Sequence, residues 1–136
     1  IERFCRPKIY PNLLKNLLKT RSNKKLKRIG CTDSSDGLFQ ALKDLAIASK
    51  CKAIINYEKI PKYKDWPKGD KWDEYYFFGG EDYELIFSLP KKWAKNLTQL
   101  DKNIYEIGYF IDGEPSIEFK DSEKNKILDN VPFKHF

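Results

Sequence analysis

The spacing of hydrophobic residues along the chain predicts four helices. Between Pro11 and Arg21, leucines at positions 13, 14, 17 and 18 have the spacing of one face of an amphipathic helix. Between Leu38 and about Lys50, apolar residues again recur every three to four positions, which predicts a longer helix. The same reasoning predicts two short helices, Asp70 to Phe78, which the pair Gly79-Gly80 ends, and Lys91 to Leu100.

Runs rich in β-branched and aromatic residues predict the strands. They are Cys51 to Tyr57, Tyr83 to Leu89, Ile104 to Ile111 and Pro115 to Lys120. The dipeptide Asp112-Gly113 lies between the last two strands and predicts an antiparallel hairpin. Segments 30–37 and 61–71 contain many turn-forming residues and are predicted as loops. Because strands and helices alternate irregularly, we expect an α+β fold with helices packed on a mixed or antiparallel sheet.

The length and composition are those of one globular domain. The chain has 136 residues, of which 40% are hydrophobic and 34% charged, so we expect residues 1–136 to form a single domain. The longest apolar runs contain about four residues, too few to span a bilayer, and no secretory signal is recognisable near the start. Three cysteines without a CxxC pair predict reduced thiols and a cytoplasmic location. No methionine occurs and residue 1 is isoleucine, so we expect the chain to be processed, trimmed or one domain of a longer protein.

The chain is basic, and its charge is unevenly distributed. The formal net charge is +6, and ten basic but no acidic residues lie between Arg3 and Thr32. Such a stretch could bind nucleic acid or attract a phosphorylated small molecule. However, 22 of the 26 basic residues are lysine and no nucleic-acid-binding motif accompanies them, so a solvated surface is the favoured interpretation.

The first candidate site is the acidic segment 32–37, which precedes the second predicted helix. It places two carboxylates, Asp33 and Asp36, three positions apart with two hydroxyls between them. Carboxylate oxygens are hard ligands of the kind that Mg²⁺ takes together with phosphate oxygens. The free N–H groups of the following helix could hold a phosphate. The alternative is that Ser34, Ser35 or Asp36 caps the helix, and from the local sequence alone this capping role is favoured.

The second candidate site is the segment Gly79-Gly80-Glu81-Asp82-Tyr83-Glu84-Leu85. Its two glycines permit positive φ angles and close approach of a ligand to the backbone. In a strand that begins near Asp82, Asp82 and Glu84 share one face, which leaves Glu81 at the turn as the side chain best placed for a ligand. A helix C-cap followed by solvent-facing acids is an equally good interpretation of these residues alone.

Other types of site are disfavoured. The nucleotide-binding pattern GxxxxGK[ST] is missing from the sequence. His135 is the only histidine and lacks the sequence context of a catalytic triad. The three cysteines are about 20 or more residues apart, so a zinc site is disfavoured as well.

Taken together and in this order, the two segments resemble those of the thiamine-monophosphate kinase family. That family carries D-I-S-D-G-L at the start of a helix, and the sequence from Asp33 to Leu38 reads D-S-S-D-G-L. About 45 residues later it carries G-G-E-D-Y-E-L, which is intact from Gly79 to Leu85. The resemblance covers nearly the whole of this chain but only the C-terminal half of the family's enzyme. The first motif occurs in looser forms across the wider superfamily of aminoimidazole ribonucleotide synthetase-like proteins, whereas the second is more specific.

The resemblance implies a phosphotransferase. Family members use several magnesium ions to transfer the γ-phosphate of ATP to thiamine phosphate, which gives thiamine diphosphate. The resemblance also implies a missing N-terminal domain that holds most of the metal and nucleotide ligands, and a homodimer of the intact enzyme. This chain would be the layered α/β domain that closes over the cleft. Phosphoryl transfer mainly requires positioning and charge neutralisation, so we assign no general base within these residues.

The resemblance implies roles for five residues by their positions in the motifs. Asp33 and Asp36 correspond to magnesium ligands, and Ser35 corresponds to an ATP contact. Glu81 corresponds to a contact with thiamine phosphate, and Phe133 to the aromatic side chain that lies against the substrate.

The sequence departs from the family pattern at three positions. Ser34 replaces a residue that is usually apolar in the first motif. Near the end of the chain, Pro132 stands where the family usually has glycine and Lys134 where many relatives have aspartate.

Two other functions remain open at the level of sequence. Another ATP-dependent enzyme of the same superfamily would keep Asp33 and Asp36 but should lack the GGEDYEL segment. A basic nucleic-acid-binding module would use residues 3–32, and its binding would weaken steeply with added salt.

Overall fold

The computed structural model describes residues 12–21, 29–62, 64–79 and 84–129. The α-helices in these ranges are α1 (Leu13–Thr20), α2 (Leu38–Ser49), α3 (Asp70–Phe78) and α4 (Lys91–Leu100). The strands are β1 (Gly30–Asp33), β2 (Cys51–Ile55), β3 (Leu85–Ser88), β4 (Gly108–Asp112) and β5 (Ser116–Phe119). Two 3₁₀ segments complete the secondary structure, Tyr57–Lys59 and Ser122–Asp129.

The helices confirm the predictions made from hydrophobic spacing. Both α3 and α4 have the predicted bounds, and α1 lies inside its predicted range. The last turn of α2 closes at Lys50, which adopts a left-handed conformation with φ of 51° and donates its backbone N–H to the carbonyls of Ala46 and Ile47.

The strands form two sheets. In the smaller sheet, β1 pairs antiparallel with β3. In the larger sheet, β2 lies in the centre, antiparallel to β4 on one side and parallel to β5 on the other. The predicted α+β fold with a mixed sheet is therefore confirmed.

The hairpin predicted at Asp112-Gly113 is wrong. Although β4 and β5 are consecutive in sequence, they flank β2 on opposite sides, so the residues between them cross the end of β2. Ala53, in the middle of β2, is completely buried and pairs with Phe110 on one side and Ile117 on the other. The apolar strand β2 buries more surface between two neighbours than at an edge, and this gain outweighs the local turn signal.

One strand is absent from the sequence-based prediction, and the four predicted strands are all shorter than predicted, β2 and β4 most clearly. The segment that contains β1 reads as a loop because glycine and aspartate are rare in strands, and it becomes a strand by pairing with β3 along its whole length. β2 ends at Ile55, two residues early, and β4 begins only at Gly108. A side chain at Gly108 would collide with the backbone carbonyl of Ile54, so only glycine permits this pairing distance.

The hydrophobic core lies where α2 and α3 pack on the larger sheet. Phe77 of α3 is fully buried, and its ring centroid lies 4.9 Å from that of Phe119 in β5. The same ring lies 5.8 Å from Phe39, in the first turn of α2. These contacts join the last turn of α3 to the first turn of α2, the region in which the candidate site lies.

The helix α1 is attached to α4 by hydrogen bonds as well as by apolar contact. The indole N–H of Trp93 donates to the Leu17 carbonyl at 3.0 Å, and the side-chain amide of Asn96 donates to the Thr20 carbonyl at 3.3 Å. None of the helices in the described ranges is long and apolar enough to cross a membrane. Cys31 and Cys51 carry free thiols, whereas Cys5 lies outside the described residues.

Candidate functional site

The two sequence motifs, about 45 residues apart in the chain, are neighbours in the structure. The smaller sheet places Asp33 at the end of β1 directly opposite Leu85 at the start of β3. Beyond the sheet, the Ser34 N–H donates to the Glu84 carbonyl at 2.9 Å, and the Glu84 N–H donates to Ser34 Oγ at 3.1 Å. The acidic segment and the described end of GGEDYEL are therefore held together by strand pairing and by the hydrogen bonds of Ser34.

Ser34 is buried, with 3% of its surface exposed. The family pattern usually has an apolar residue here, and such a side chain would fill the same space without accepting a hydrogen bond. In this chain the hydroxyl instead satisfies the Glu84 N–H, so the substitution adds a polar link between the motifs.

The carboxylate of Asp33 lies at the surface in a defined orientation. Its Oδ1 accepts hydrogen bonds from the Ser35 hydroxyl at 2.7 Å and from the Ser35 backbone N–H at 3.3 Å. These two hydrogen bonds hold the pKa of Asp33 below its usual value, so the group is a carboxylate at neutral pH. Asp36 follows in the same turn and is also exposed.

The sequence-based expectation that Ser34, Ser35 or Asp36 caps α2 is wrong. The N-cap of α2 is Gly37, and no side chain caps the helix. The side chains of Ser34 and Ser35 are bound to Glu84 and Asp33 instead. The first turn of α2 also contains no acidic residue, so its backbone N–H groups keep the partial positive charge of a helix N-terminus.

Gly37 is required by the way the turn lies against α3. Its φ of +97° belongs to a region that side chains rarely adopt. A Cβ atom at this position would lie 2.7 Å from the Phe78 carbonyl oxygen and 2.8 Å from that of Gly79. The glycine of the first motif therefore contacts the end of the helix that leads into the second motif.

The oxygen ligands in the acidic turn are of the type that binds a magnesium ion. Two hard carboxylates, of which Asp33 is held ionised, lie beside an uncapped helix N-terminus. Mg²⁺ usually takes only one or two protein carboxylates and completes its shell with water and phosphate oxygens. The described residues contain no group of three potential metal ligands, so Asp33 and Asp36 would be a partial site.

Two of the five residues that the family resemblance singled out cannot be placed. Glu81 and Phe133 lie outside the described residues, as do Pro132 and Lys134. The structure therefore brings together Asp33, Ser35 and Asp36 only.

A buried ion cluster near the motifs was missed by the sequence analysis. Asp73 of α3 is 7% exposed, and its carboxylate accepts hydrogen bonds from Lys62 Nζ at 3.2 Å and Lys124 Nζ at 3.1 Å. Lys62 Nζ also donates to the Tyr57 hydroxyl at 2.7 Å. The spacing of four residues between Asp73 and Phe77 places both on the core face of α3, and this was the available signal.

The protonation states of this ion cluster (Tyr57, Lys62, Asp73 and Lys124) follow from its contacts. Burial alone would raise the pKa of Asp73, but hydrogen bonds from Tyr57, Lys124 and Lys62 outweigh it and lower the pKa below its usual value. Burial and the hydrogen bond to Asp73 raise the pKa of Tyr57 well above its usual value. Asp73 is therefore charged and Tyr57 neutral at physiological pH.

Comparison with known families identifies the domain type. Residues 11–120 match the family described as AIR synthase related protein, C-terminal domain. That range contains both motifs and all the elements from α1 to β5.

The curated relatives that match are thiamine-monophosphate kinases. That of Prochlorococcus marinus is 34% identical and matches 90% of this chain and 37% of its own length. That of Nitrosopumilus maritimus is 37% identical and matches 76% of this chain and 34% of its own length. That of Bacillus subtilis is 33% identical and matches 81% of this chain and 36% of its own length. The chain thus spans little more than a third of the length of these relatives.

Solved structures agree with this result. AaThiL complexed with AMPPCP and TMP is 29% identical, with a TM-score of 0.64 over 90% of this chain and 37% of its own. The thiamine-monophosphate kinase from Stenotrophomonas maltophilia, at 24% identity and a TM-score of 0.59, shows the same fold over 67% of this chain. The chain therefore belongs to the family of AIR synthase related protein C-terminal domains, and the relatives that it resembles are thiamine-monophosphate kinases.

Proposed function

We propose that this chain is the C-terminal domain of a magnesium-dependent kinase that transfers the γ-phosphate of ATP to thiamine phosphate. The observation that supports the proposal is the reciprocal hydrogen bonding of Ser34 and Glu84, which makes the first motif a neighbour of the described end of the second. The matching relatives are kinases of this name, and AaThiL is complexed with AMPPCP, an analogue of ATP, and with TMP.

In this proposal Asp33 and Asp36 hold magnesium. A bound Mg²⁺ would supply charge neutralisation at the phosphate oxygens of ATP. The hydrogen bonds from Ser35 keep Asp33 ionised and oriented before any ligand arrives. The uncapped N-terminus of α2 adds partial positive charge beside the two carboxylates, which favours a phosphate group there.

Ser35 has a second role as an ATP contact. Its hydroxyl has a single proton, which it donates to Asp33 Oδ1 in this structure. To donate to a phosphate oxygen, the hydroxyl must rotate away from Asp33, whereas the Ser35 backbone N–H can remain on the carboxylate.

Glu81 and Phe133 are proposed to contact thiamine phosphate, as the family resemblance implies. No residue of this chain is assigned as a general base, because the metal, the helix N-terminus and the positioning of the two substrates suffice for phosphoryl transfer. The Glu81→Ala variant should raise the KM for thiamine phosphate and leave the KM for ATP near its original value.

The remaining parts of the proposal concern the intact protein. Residues 1–136 form one domain, an N-terminal domain supplies most of the metal and nucleotide ligands, and the intact enzyme is a cytoplasmic homodimer. The two carboxylates of this domain are too few to neutralise a triphosphate, so the 136 residues alone should not catalyse the reaction.

The experiment is a comparison of the intact protein with residues 1–136 alone, each with Mg²⁺, ATP and thiamine phosphate. The proposal expects thiamine diphosphate only from the intact protein. Turnover by the 136 residues alone would refute the two-domain site. Phosphorylation of a different acceptor, with none of thiamine phosphate, would favour another enzyme of the same superfamily.

A further inference from the structure

The ion cluster of Tyr57, Lys62, Asp73 and Lys124 ties α3 to two other segments. Lys62 lies just after the 3₁₀ segment Tyr57–Lys59, and Lys124 lies in the 3₁₀ segment Ser122–Asp129. Among the described residues, Asp73 is the one buried carboxylate, and each of its oxygens accepts a hydrogen bond from a different lysine. Both lysine ammonium groups also lie over the Tyr57 ring, at 4.0 Å and 4.6 Å from its centroid.

Such a cluster contributes geometry more than stability. A buried ion pair often adds no more to stability than well-packed apolar side chains of the same volume, because desolvation offsets the attraction between the charges. Hydrogen bonds from charged groups, however, have preferred distances and angles. Two lysines that bind the two oxygens of Asp73 from different segments therefore restrain both the rotation and the axial position of α3.

The end of α3 is the surface against which the acidic turn lies. Phe78 and Gly79 present their carbonyl oxygens to Gly37, at a distance that leaves no room for a Cβ atom. The ring centroids of Phe78 and Phe39 lie 4.9 Å apart, which packs the last turn of α3 on the first turn of α2. Asp73 lies five residues before Phe78, or about 7 Å along the helix axis.

We propose that Asp73 is a positioning residue for the acidic turn of residues 33–37. Through the rigid last turn of α3, it holds the Phe78 and Gly79 carbonyls against Gly37 and thereby sets where Asp33, Ser35 and Asp36 present their side chains. The expected change in KM rests on the proposed function. The positioning of the acidic turn does not, because it involves only contacts within this domain.

The kinetic test uses Asp73→Asn in the intact protein. A displaced acidic turn should bind magnesium–ATP more weakly, so the KM for magnesium–ATP should rise by about ten-fold, as when an outer-shell partner of a metal ligand is removed. A merely structural role would instead reduce the folded fraction, which lowers the apparent kcat and leaves the KM unchanged. An unchanged KM in folded Asp73→Asn protein would therefore overturn the proposal.

Two further variants keep the test decisive. Asp70 lies on the same helix as Asp73 but at the surface, where it pairs with Lys126 of the second 3₁₀ segment. Asp70→Asn breaks that exposed ion pair and should leave the KM unchanged. Lys124→Met removes one of the two lysine donors and keeps the Lys62–Asp73 pair, so it should raise the KM less than Asp73→Asn does. If Asp73→Asn does not fold, the comparison of Lys124→Met with Asp70→Asn decides the question.

Hydrogen exchange separates this inference from the proposed function. The backbone N–H groups of Ser34, Gly37 and Ala41 donate to the carbonyls of Glu84, Ser34 and Gly37 respectively. In Asp73→Asn protein these amides should exchange faster than in Asp70→Asn protein, whether or not the intact protein has kinase activity. Equal exchange in the two variants would overturn the positioning role, whereas an inactive wild-type protein would overturn the proposed function alone.

Discussion

The Ser34 hydroxyl accepts a hydrogen bond from the Glu84 backbone N–H at 3.1 Å, and the Ser34 N–H donates in return to the Glu84 carbonyl at 2.9 Å. This pair of bonds extends the β1–β3 pairing by one position beyond Asp33 and Leu85. The carboxylate at the end of β1 is therefore fixed relative to the second motif by strand pairing, one main-chain hydrogen bond and the short Ser34 side chain.

Replacement of Ser34 by alanine should destabilise the domain by about 0.5–1.5 kcal/mol, because it removes the hydroxyl that accepts the hydrogen bond of the half-buried Glu84 N–H. Urea unfolding measures this change. Ser116→Ala is the matched control, since the Ser116 hydroxyl bonds to the Glu114 carbonyl at the surface, and it should alter stability by less than about 0.5 kcal/mol. Equal losses of stability from the two substitutions would mean that the hydrogen bond between Ser34 and Glu84 does not stabilise the domain.

Replacement of Gly37 by alanine should lower the stability of the domain more than the same replacement at Gly69. Both glycines have positive φ, +97° and +125°, so both substitutions impose backbone strain. Only Gly37 has the carbonyl oxygens of Phe78 and Gly79 within 3 Å of the new Cβ, whereas nothing lies within 4 Å at Gly69. Thermal or urea unfolding should show that Gly37→Ala is less stable than Gly69→Ala by about 1–3 kcal/mol. A Gly37→Ala protein as stable as Gly69→Ala would contradict the contact between the acidic turn and α3.

The stability contributed by Asp73 should depend on pH in a defined direction. Its pKa in the folded state lies below the value of about 3.9 expected in the unfolded chain. A group with a depressed pKa stabilises the fold fully above its unfolded pKa, and the stabilisation is lost as the pH falls through the folded pKa. The excess stability of the wild type over Asp73→Asn should thus be constant near neutral pH and shrink below about pH 4.

Urea unfolding at several pH values measures this difference directly. Asp70→Asn, which breaks an exposed ion pair, should differ little from the wild type at any pH. An excess stability of the wild type over Asp73→Asn that grows as the pH falls would contradict the assigned charge of Asp73.

The helices were predictable from sequence because their hydrophobic spacing is local, and two of them are also bounded by glycine or proline. Gly79 follows α3 and Pro90 precedes α4, and both helices have the predicted bounds. The strands depend on partners distant in sequence, so local patterns predicted them less well. The residues of β1 have little strand propensity and pair only because β3 lies beside them. Likewise, the Asp112-Gly113 signal was overridden because β2 occupies the place between β4 and β5.

The motifs of the candidate site could be recognised in the sequence, but their arrangement could not. The sequence singled out Asp33, Ser35 and Asp36, and the structure places all three in one turn beside the second motif. The sequence alone could not show that α2 begins at Gly37 without a side-chain cap, because this start depends on the close contact of Gly37 with the end of α3. The burial of Asp73 could not be predicted either, since both lysines that bind its carboxylate come from other segments of the chain.

The most direct test of the account replaces the two carboxylates of the acidic turn in the intact protein. Asp33→Asn and Asp36→Asn are compared with Asp112→Asn, which changes an exposed aspartate of β4 in the other sheet. Formation of thiamine diphosphate from thiamine phosphate, ATP and Mg²⁺ is measured for each folded protein. We expect the wild type and Asp112→Asn to form the product at similar rates, while Asp33→Asn and Asp36→Asn lose at least about ten-fold in activity. Folded Asp33→Asn and Asp36→Asn proteins with wild-type activity would contradict this expectation.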